Sequence, residues 1–118
     1  MGAPVGWFDI TAPDPGPLLE FYTELFGWTP ADSGAEGYTL IDTGAGDGAI
    51  GGGIGATQSP DDPGGVTIYM KVDDLQAYLD KAEKLGGTTV MAPMDLPGDF
   101  GRFALFADPA GHTIGLWS

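Results

Sequence analysis

The chain has 118 residues, and 17 Asp or Glu against four Lys or Arg give it a formal net charge of −13. This charge repels phosphates and excludes the basic surface that a nucleic-acid-binding protein needs. No apolar run reaches the roughly 20 residues of a membrane span, and the absence of Cys excludes disulfides and thiolate zinc sites. We therefore expect a single domain over residues 1–118 with small-molecule, cationic or protein partners, not nucleic acid or membrane. The first residues lack the pattern of a signal peptide, so the expected location is the cytoplasm.

The first half of the chain predicts a strand, a helix and three more strands. Val5–Ala12 alternates loosely between apolar and polar residues, as a strand does. Asp14 is placed to cap a helix, Pro15 suits the first helical position, and Gly27 ends the apolar helical pattern. The further strands are predicted at 28–30, 37–43 and 49–55. The last of these is so rich in glycine that strand propensity alone argues against it.

The same order of elements recurs after a linker at 58–65. Val66–Val72 predicts a strand, and Asp73 or Asp74 caps a helix that stops at a pair of glycines. The remaining strands are predicted at 88–91, 101–107 and 112–117. A shift of about 60 residues lays the first helix on the second, so we interpret the chain as a tandem repeat with modules at about 4–57 and 66–118.

Three segments carry a family resemblance. The first segment is Asp14 with Phe21–Trp28, which includes the end of the first predicted helix. The second is Val72–Leu75, at the opening of the second predicted helix, and the third is Phe106–His112, in the turn before the last predicted strand. The sequence resembles the vicinal oxygen chelate superfamily, which includes glyoxalase I, bleomycin-resistance protein and extradiol dioxygenases. The resemblance spans essentially the whole chain. It implies an α+β, glyoxalase-like fold of tandem βαβββ modules that form a curved mixed sheet cup, and it implies a homodimer.

The resemblance also implies where a divalent metal would bind. Metal-dependent members hold the ion with His, Gln or Glu on inward-facing strand positions, which here fall on Trp7, Thr67 and Gly115 and within 49–55. The stretch 49–55 offers only Ala, Ile and Gly, and catalytic metal sites usually take three or more His, Cys or carboxylate ligands. We therefore expect a metal-ligand-deficient member with no metal site and no cofactor.

Strand alternation predicts which residues line the cup. Trp7, Asp9 and Thr11 share one face of the first strand, whereas Phe8 and Ile10 face the helix. By the same rule Thr67, Tyr69 and Lys71 face the cup, as do Thr113, Gly115 and Trp117. The predicted ligand-binding residues are Trp7, Asp9, Tyr38, Thr67, Tyr69, Arg102, Phe103 and Trp117. The aromatic residues could equally be ordinary core or fill the cup, while Gly and Thr at ligand positions indicate room for a ligand.

Two further residues have alternative roles. Arg102 either binds a ligand carboxylate or pairs with Asp95 or Asp99. His112 is either a polar residue of its turn or a group that stabilises charge during a reaction. The glycine run at 44–48 and 51–53 lacks the Lys and the helix of a phosphate-binding loop, so a hairpin with a close approach to the backbone is the preferred interpretation.

Two functions from different classes are consistent with these residues. The first is a metal-independent binding protein for a drug or secondary metabolite, with an aromatic or cationic ligand that stacks on Trp and Tyr. The alternative is a metal-free lyase or isomerase in which Asp9 is the general base, helped by Tyr69, Arg102 or His112. A metal-dependent glyoxalase or dioxygenase is the third hypothesis.

Overall fold

The protein is described by a computed structural model over residues 2–31, 37–46, 48–96, 98 and 100–118. In these ranges the chain runs through the order βαβββ twice, which confirms the predicted α+β class and its tandem modules. The elements are β1 (Val5–Ala12), α1 (Pro15–Phe26), β2 (Thr29–Pro30), β3 (Tyr38–Asp42), β4 (Gly51–Ala56), β5 (Gly65–Lys71), α2 (Leu75–Lys84), β6 (Thr88–Asp95), β7 (Arg102–Ala107) and β8 (Thr113–Trp117). Neither of the two helices in the described ranges is long and apolar enough to cross a membrane.

The chain divides into two compact units. The first unit is Trp7–Val66, and the second unit combines the described residues before Trp7 with Thr67–Ser118. In the first unit the strands lie in the order β2-β3-β4-β1, with β1 parallel to β4 and the other neighbours antiparallel. In the second unit the order is β5-β8-β7-β6, and β5 is parallel to β8. Each unit therefore has a mixed four-stranded arrangement with its own helix.

The core of the first unit forms between β1, β3, β4 and α1. Ile10, Ile41 and Ile54 are buried, and Phe8 packs against them, so the predicted helix-facing side of the first strand is confirmed. The other partly buried side chains of this core are Leu18, Leu19, Tyr22 and Trp28. Burial of such side chains is the main force that holds the helix on the sheet.

The ends of α1 follow the local sequence. The Asp14 carboxylate accepts a hydrogen bond from the Gly16 N–H at 3.4 Å, and Gly27 ends the helix with a φ of 71°. This left-handed conformation favours glycine. The outer side of the helix is apolar as well, because Phe21, Leu25 and Phe26 are each more than half exposed.

The glycine-rich strand forms because aromatic rings pack directly on its backbone. A Cβ atom on Gly52 would lie 2.3 Å from Phe8 Cζ, and a Cβ atom on Gly51 would lie 3.0 Å from Trp7 Cζ3 on the opposite face. Residues 52–55 are buried. Only glycine gives the rings this approach, so packing overrides the poor strand propensity of the segment.

The second unit has an equivalent core against α2. Leu75 and Leu79 of the helix are buried together with Val72, Ala104 and Leu116 of the sheet. Of the two candidate caps, Asp74 is the N-cap, since its carboxylate accepts a hydrogen bond from the Ala77 N–H at 3.1 Å. The left-handed glycine after this helix is Gly86, with a φ of 104°, and not Gly87. A shift of 60 residues lays Gly27 on Gly87, so the ends of the two helices differ by one residue.

β6 is longer than the sequence predicts. The predicted strand ends at 91, whereas β6 continues through Pro93 to Asp95, with register shifts on either side of Met91. This strand lies at the edge of the second unit's arrangement, where a proline without an N–H removes no hydrogen bond of the ladder. The prediction of an early end is therefore wrong because edge position cannot be seen in the local sequence.

Candidate functional site

Three half-buried side chains of the first unit form a hydrogen-bonded group, which we call the Trp7–Asp9–Tyr38 cluster. Trp7 and Asp9 lie on the same face of β1, and Tyr38 reaches them from β3. The Trp7 indole N–H donates to Asp9 Oδ1 at 3.1 Å and to Tyr38 Oη at 3.0 Å. The Tyr38 hydroxyl donates to the same Asp9 oxygen. Strand alternation predicted that Trp7 and Asp9 share a face, and the structure adds that Tyr38 joins them.

The two hydrogen bonds to Asp9 reach one oxygen of its carboxylate. Both donors are neutral groups, and both bind Oδ1. Within the described ranges, no hydrogen bond reaches Asp9 Oδ2, and the ion pairs lie elsewhere, at Arg102 and His112. The two donors therefore hold the carboxylate in one orientation.

Glycines of β4 form the floor beneath the cluster. Gly53 lies opposite Asp9 in the parallel β1–β4 register. A Cβ atom on Gly53 would lie 1.9 Å from Tyr38 Oη, and one on Gly55 would lie 2.6 Å from Tyr38 Cδ1. The Tyr38 ring therefore rests flat on the strand. The glycine thus allows the close approach to the backbone that the sequence predicts for this run, and the ring fills the space that a side chain would take.

The second unit carries an aromatic pair, which we call the Tyr69–Phe103 pair. The ring centroids are 6.4 Å apart with an interplanar angle of 64°, an edge-to-face arrangement that aromatic rings favour. Tyr69 lies opposite Gly115 in the β5–β8 register, and a Cβ atom on Gly115 would lie 2.1 Å from Tyr69 Cδ2. Glycine leaves no room here either, since the Tyr69 ring covers it.

The Trp117 ring of the second unit contacts the ammonium group of a lysine in the same unit. Lys71 Nζ lies 4.1 Å from the centroid of the Trp117 ring, which is a cation–π contact. The Trp117 indole N–H donates to the Phe100 carbonyl oxygen at 2.7 Å. Lys71 is not among the binding residues that the sequence predicts, because alternation gives the face of a side chain but not its contacts.

The strand registers identify equivalent positions in the two units. Gly53 lies opposite Asp9 and Leu40, and Gly115 lies opposite Tyr69 and Leu105. The equivalent residues are therefore Asp9 and Tyr69, Gly53 and Gly115, Leu40 and Leu105, and, two residues earlier, Tyr38 and Phe103. The carboxylate–hydroxyl pair of the first unit corresponds to a tyrosine–phenylalanine pair in the second, so only one of the two equivalent positions carries a charge.

Two predicted binding residues, Arg102 and Thr67, belong to neither the cluster nor the pair. Arg102 Nε forms an ion pair with Asp95 Oδ1 at 3.0 Å, which is one of the two alternatives that the sequence leaves open for Arg102. The two side chains are 55% and 84% exposed. The other candidate partner, Asp99, lies outside the described residues. Thr67 is half-buried on β5. A role of Arg102 or Thr67 in ligand binding remains a prediction.

His112 belongs to a tight turn. Its backbone N–H donates to Asp108 Oδ1 at 2.9 Å, and its ring Nδ1 lies 3.0 Å from Asp108 Oδ2. The backbone hydrogen bond from His112 is the main cause that lowers the pKa of Asp108. The imidazole is 73% exposed, so its position fits the interpretation as a polar turn residue.

The residues present do not fit the divalent metal that the resemblance implies. Trp7 offers an indole N–H, which is a donor and not a ligand, and Gly115 lies under the Tyr69 ring. Thr67 offers a neutral hydroxyl. In the described part of the chain, no three His, Cys, Asp or Glu side chains lie close enough together to hold a metal ion. No chemistry is therefore assigned to a metal at these positions.

Comparison with known proteins identifies two similar curated proteins and a solved structure with the same fold. The chain is 39% identical over 133 residues to the anthracycline biosynthesis protein DnrV of Streptomyces peucetius, covering 98% of this chain and 46% of DnrV. It is 38% identical to DauV of Streptomyces sp. strain C5, with the same coverage. The chain thus spans about half the length of the curated relatives it matches. At 16% identity, a Mn(II)-bound glyoxalase from Novosphingobium aromaticivorans shares the fold with a TM-score of 0.69, over 97% of this chain and 38% of that one.

A second solved structure and a family profile agree with this fold. Methylmalonyl-CoA epimerase from Mycobacterium tuberculosis matches with a TM-score of 0.66 at 17% identity, over 96% of this chain and 85% of the epimerase. The profile described as Glyoxalase/Bleomycin resistance protein/Dioxygenase superfamily matches residues 5–116. The chain belongs to the glyoxalase/bleomycin resistance protein/dioxygenase superfamily.

Proposed function

We propose that this protein is a metal-independent small-molecule-binding protein of the glyoxalase/bleomycin-resistance type. The observation that carries the proposal is the Trp7–Asp9–Tyr38 cluster. In it, a half-buried carboxylate is held between two aromatic side chains on a glycine floor. A mostly apolar surface with one polar group to orient the ligand is the usual composition of a small-molecule site.

The ligand class follows from the chemistry of this surface. Flat aromatic rings stack on Trp and Tyr, and a carboxylate adds a preference for hydrogen-bond donors or cations. The names of DnrV and DauV refer to anthracycline biosynthesis. Anthracyclines are tetracyclic aromatic compounds, so these names support a flat aromatic drug or secondary metabolite as the ligand class of this chain.

Calorimetric titration with two related probes tests the proposal. The probes are doxorubicin and its aglycone doxorubicinone, which has the same ring system without the amino sugar. We expect saturable binding of both to protein treated with EDTA, with no gain when Ni²⁺, Zn²⁺ or Mn²⁺ is added back. Trp7→Ala should weaken binding about tenfold, because an aromatic pair contributes about 0.5–1.5 kcal/mol beyond its buried area.

The matched control is Trp28→Phe. Trp28 packs beside Phe8 in the helix-side core of the first unit, so this variant changes a tryptophan without touching the cluster. It should bind both probes as the wild type does. Absence of saturation with both probes, or binding that requires a returned metal ion, would contradict the proposal.

A metal-free lyase or isomerase is the second candidate. It is favoured by Asp9 Oδ2, which accepts no hydrogen bond within the described ranges and so has lone pairs with which to take a proton. Mass spectrometry of the recovered probes separates the two functions. Unchanged probe supports binding alone, whereas conversion that Asp9→Asn abolishes would support the enzyme.

We also propose that the protein forms a homodimer in the cytoplasm. The family resemblance supports a dimer, and so do the exposed Phe21, Leu25 and Phe26 of α1, since large exposed apolar patches commonly mark contact surfaces. Sedimentation equilibrium should give about twice the mass of one chain. A mass of one chain at micromolar concentration would contradict the dimer, and Leu25→Glu tests whether α1 contributes.

A further inference from the structure

We propose that the Trp7–Asp9–Tyr38 cluster selects ligands that carry a protonated amine, with Asp9 Oδ2 as the acceptor of the amine. This inference rests on the proposed binding function and adds the charge of the ligand to it. Three features of the structure support this selection: the partners of the carboxylate, its aromatic surroundings, and the contrast with the equivalent position of the second unit.

The Asp9 carboxylate is oriented but has no cationic partner. Two neutral N–H and O–H donors hold Oδ1, so Asp9 has one orientation before a ligand arrives. No Lys, Arg or His in the described ranges pairs with this carboxylate. A half-buried carboxylate without a cationic partner gains more from a cation than an exposed one does, since water screens it less.

The Asp9 carboxylate lies at the polar edges of two aromatic side chains. The Trp7 N–H and the Tyr38 O–H donate to the same oxygen, so both side chains border the carboxylate. A protonated amine at Oδ2 would therefore bind the carboxylate beside two aromatic side chains, which can contact the apolar part of the ligand.

The second unit lacks a carboxylate at the equivalent position. At the position of Asp9 it has Tyr69, and at the position of Tyr38 it has Phe103, so the carboxylate and the hydroxyl are both replaced. The Trp117 ring of that unit is already in contact with the Lys71 ammonium. A ligand cation is therefore favoured by the first unit and disfavoured by the second.

The same pair of probes tests this selection. Doxorubicin carries a protonated amine, and doxorubicinone does not. We expect wild-type protein to bind doxorubicin about 10- to 100-fold more tightly, as a charge-assisted hydrogen bond predicts. Asp9→Asn keeps the shape and an acceptor oxygen but removes the charge, so it should reduce this ratio to near one. Glu24→Gln, which removes one negative charge from an exposed position of α1 in the same unit, is the matched control and should keep the ratio.

The salt dependence provides a measurement that needs no variant. The doxorubicin advantage should shrink between 50 mM and 500 mM NaCl, while doxorubicinone binding stays constant, because salt screens the interaction of charges. Equal affinity of the two probes in wild type, or a ratio that Asp9→Asn leaves unchanged, would overturn the inference while the proposed binding function stands. Failure of both probes to bind would instead overturn the proposed function itself.

Discussion

The glycine floor beneath Tyr38 makes Gly53→Ala an informative substitution. The new Cβ atom would lie 1.9 Å from Tyr38 Oη and 2.0 Å from Tyr38 Cζ, so the ring must leave its position. The ring then loses its hydrogen bond to Asp9, which contributes about 1.5–3 kcal/mol because the acceptor is charged. It also loses the hydrogen bond from Trp7, which contributes about 0.5–1.5 kcal/mol.

The backbone partly offsets this loss. Alanine is better than glycine within a strand by roughly 0.5–1 kcal/mol, and Gly53 does not have the positive φ that would strain an alanine. The expected net effect is therefore a decrease of roughly 1–4 kcal/mol in the free energy of unfolding. Urea unfolding followed by far-UV circular dichroism measures it.

Two comparisons make the test specific. The three atoms nearest to a Cβ at Gly53 all belong to the Tyr38 side chain. In a Tyr38→Ala background, which removes these atoms, Gly53→Ala should be neutral or stabilising, and the double-mutant cycle should give a clear coupling energy. Gly65→Ala is the matched control, since a Cβ atom at Gly65 meets nothing within 4 Å. If Gly53→Ala destabilised the protein equally in both backgrounds, or no more than Gly65→Ala, the packing of Tyr38 on Gly53 would be refuted.

Three further predictions concern stability. Leu79→Ala should lower the free energy of unfolding by about 2–5 kcal/mol in a urea titration, because Leu79 is only 1% exposed in the core of the second unit. Asp74→Ala should lower it by about 1 kcal/mol, and Asp14→Ala by less, because the capping hydrogen bond is 3.1 Å at Asp74 and 3.4 Å at Asp14. The pKa of Asp108 is lowered in the folded state, so its contribution is present at pH 7 and is lost as pH falls through the folded pKa, which lies below 3.8. Urea midpoints of wild type and Asp108→Ala should therefore differ at pH 7 and converge in strong acid; a constant difference would contradict this.

Much of the fold could be predicted because its determinants are local. Asp14 and Asp74 are adjacent to the helices they cap, and the alternation that places Phe8 and Ile10 against α1 extends over a few residues. The order of elements repeats within the chain, and three motifs identify the superfamily. The length of β6 could not be predicted, since Pro93 is tolerated only because this strand lies at an edge.

The candidate site was predicted only as a set of residues. Strand alternation gives one face to Trp7 and Asp9, but their contact with Tyr38 crosses about 30 residues of chain and the intervening strand β4. No local pattern specifies which atom of that tyrosine meets the carboxylate. The cation–π contact of Lys71 with Trp117 is hidden from the sequence in the same way.

The sequence by itself determined the tandem βαβββ order, the N-cap of the first helix, the faces of the first strand and the family. Only the tertiary structure decided what the glycines at the ligand positions do, because a missing side chain in the sequence is consistent with either open space or a packed ring. At Gly53 and Gly115 the space is taken by Tyr38 and Tyr69, each from a neighbouring strand. The physical reason is that strand registers bring distant residues side by side, and packing then decides which of them fills the gap.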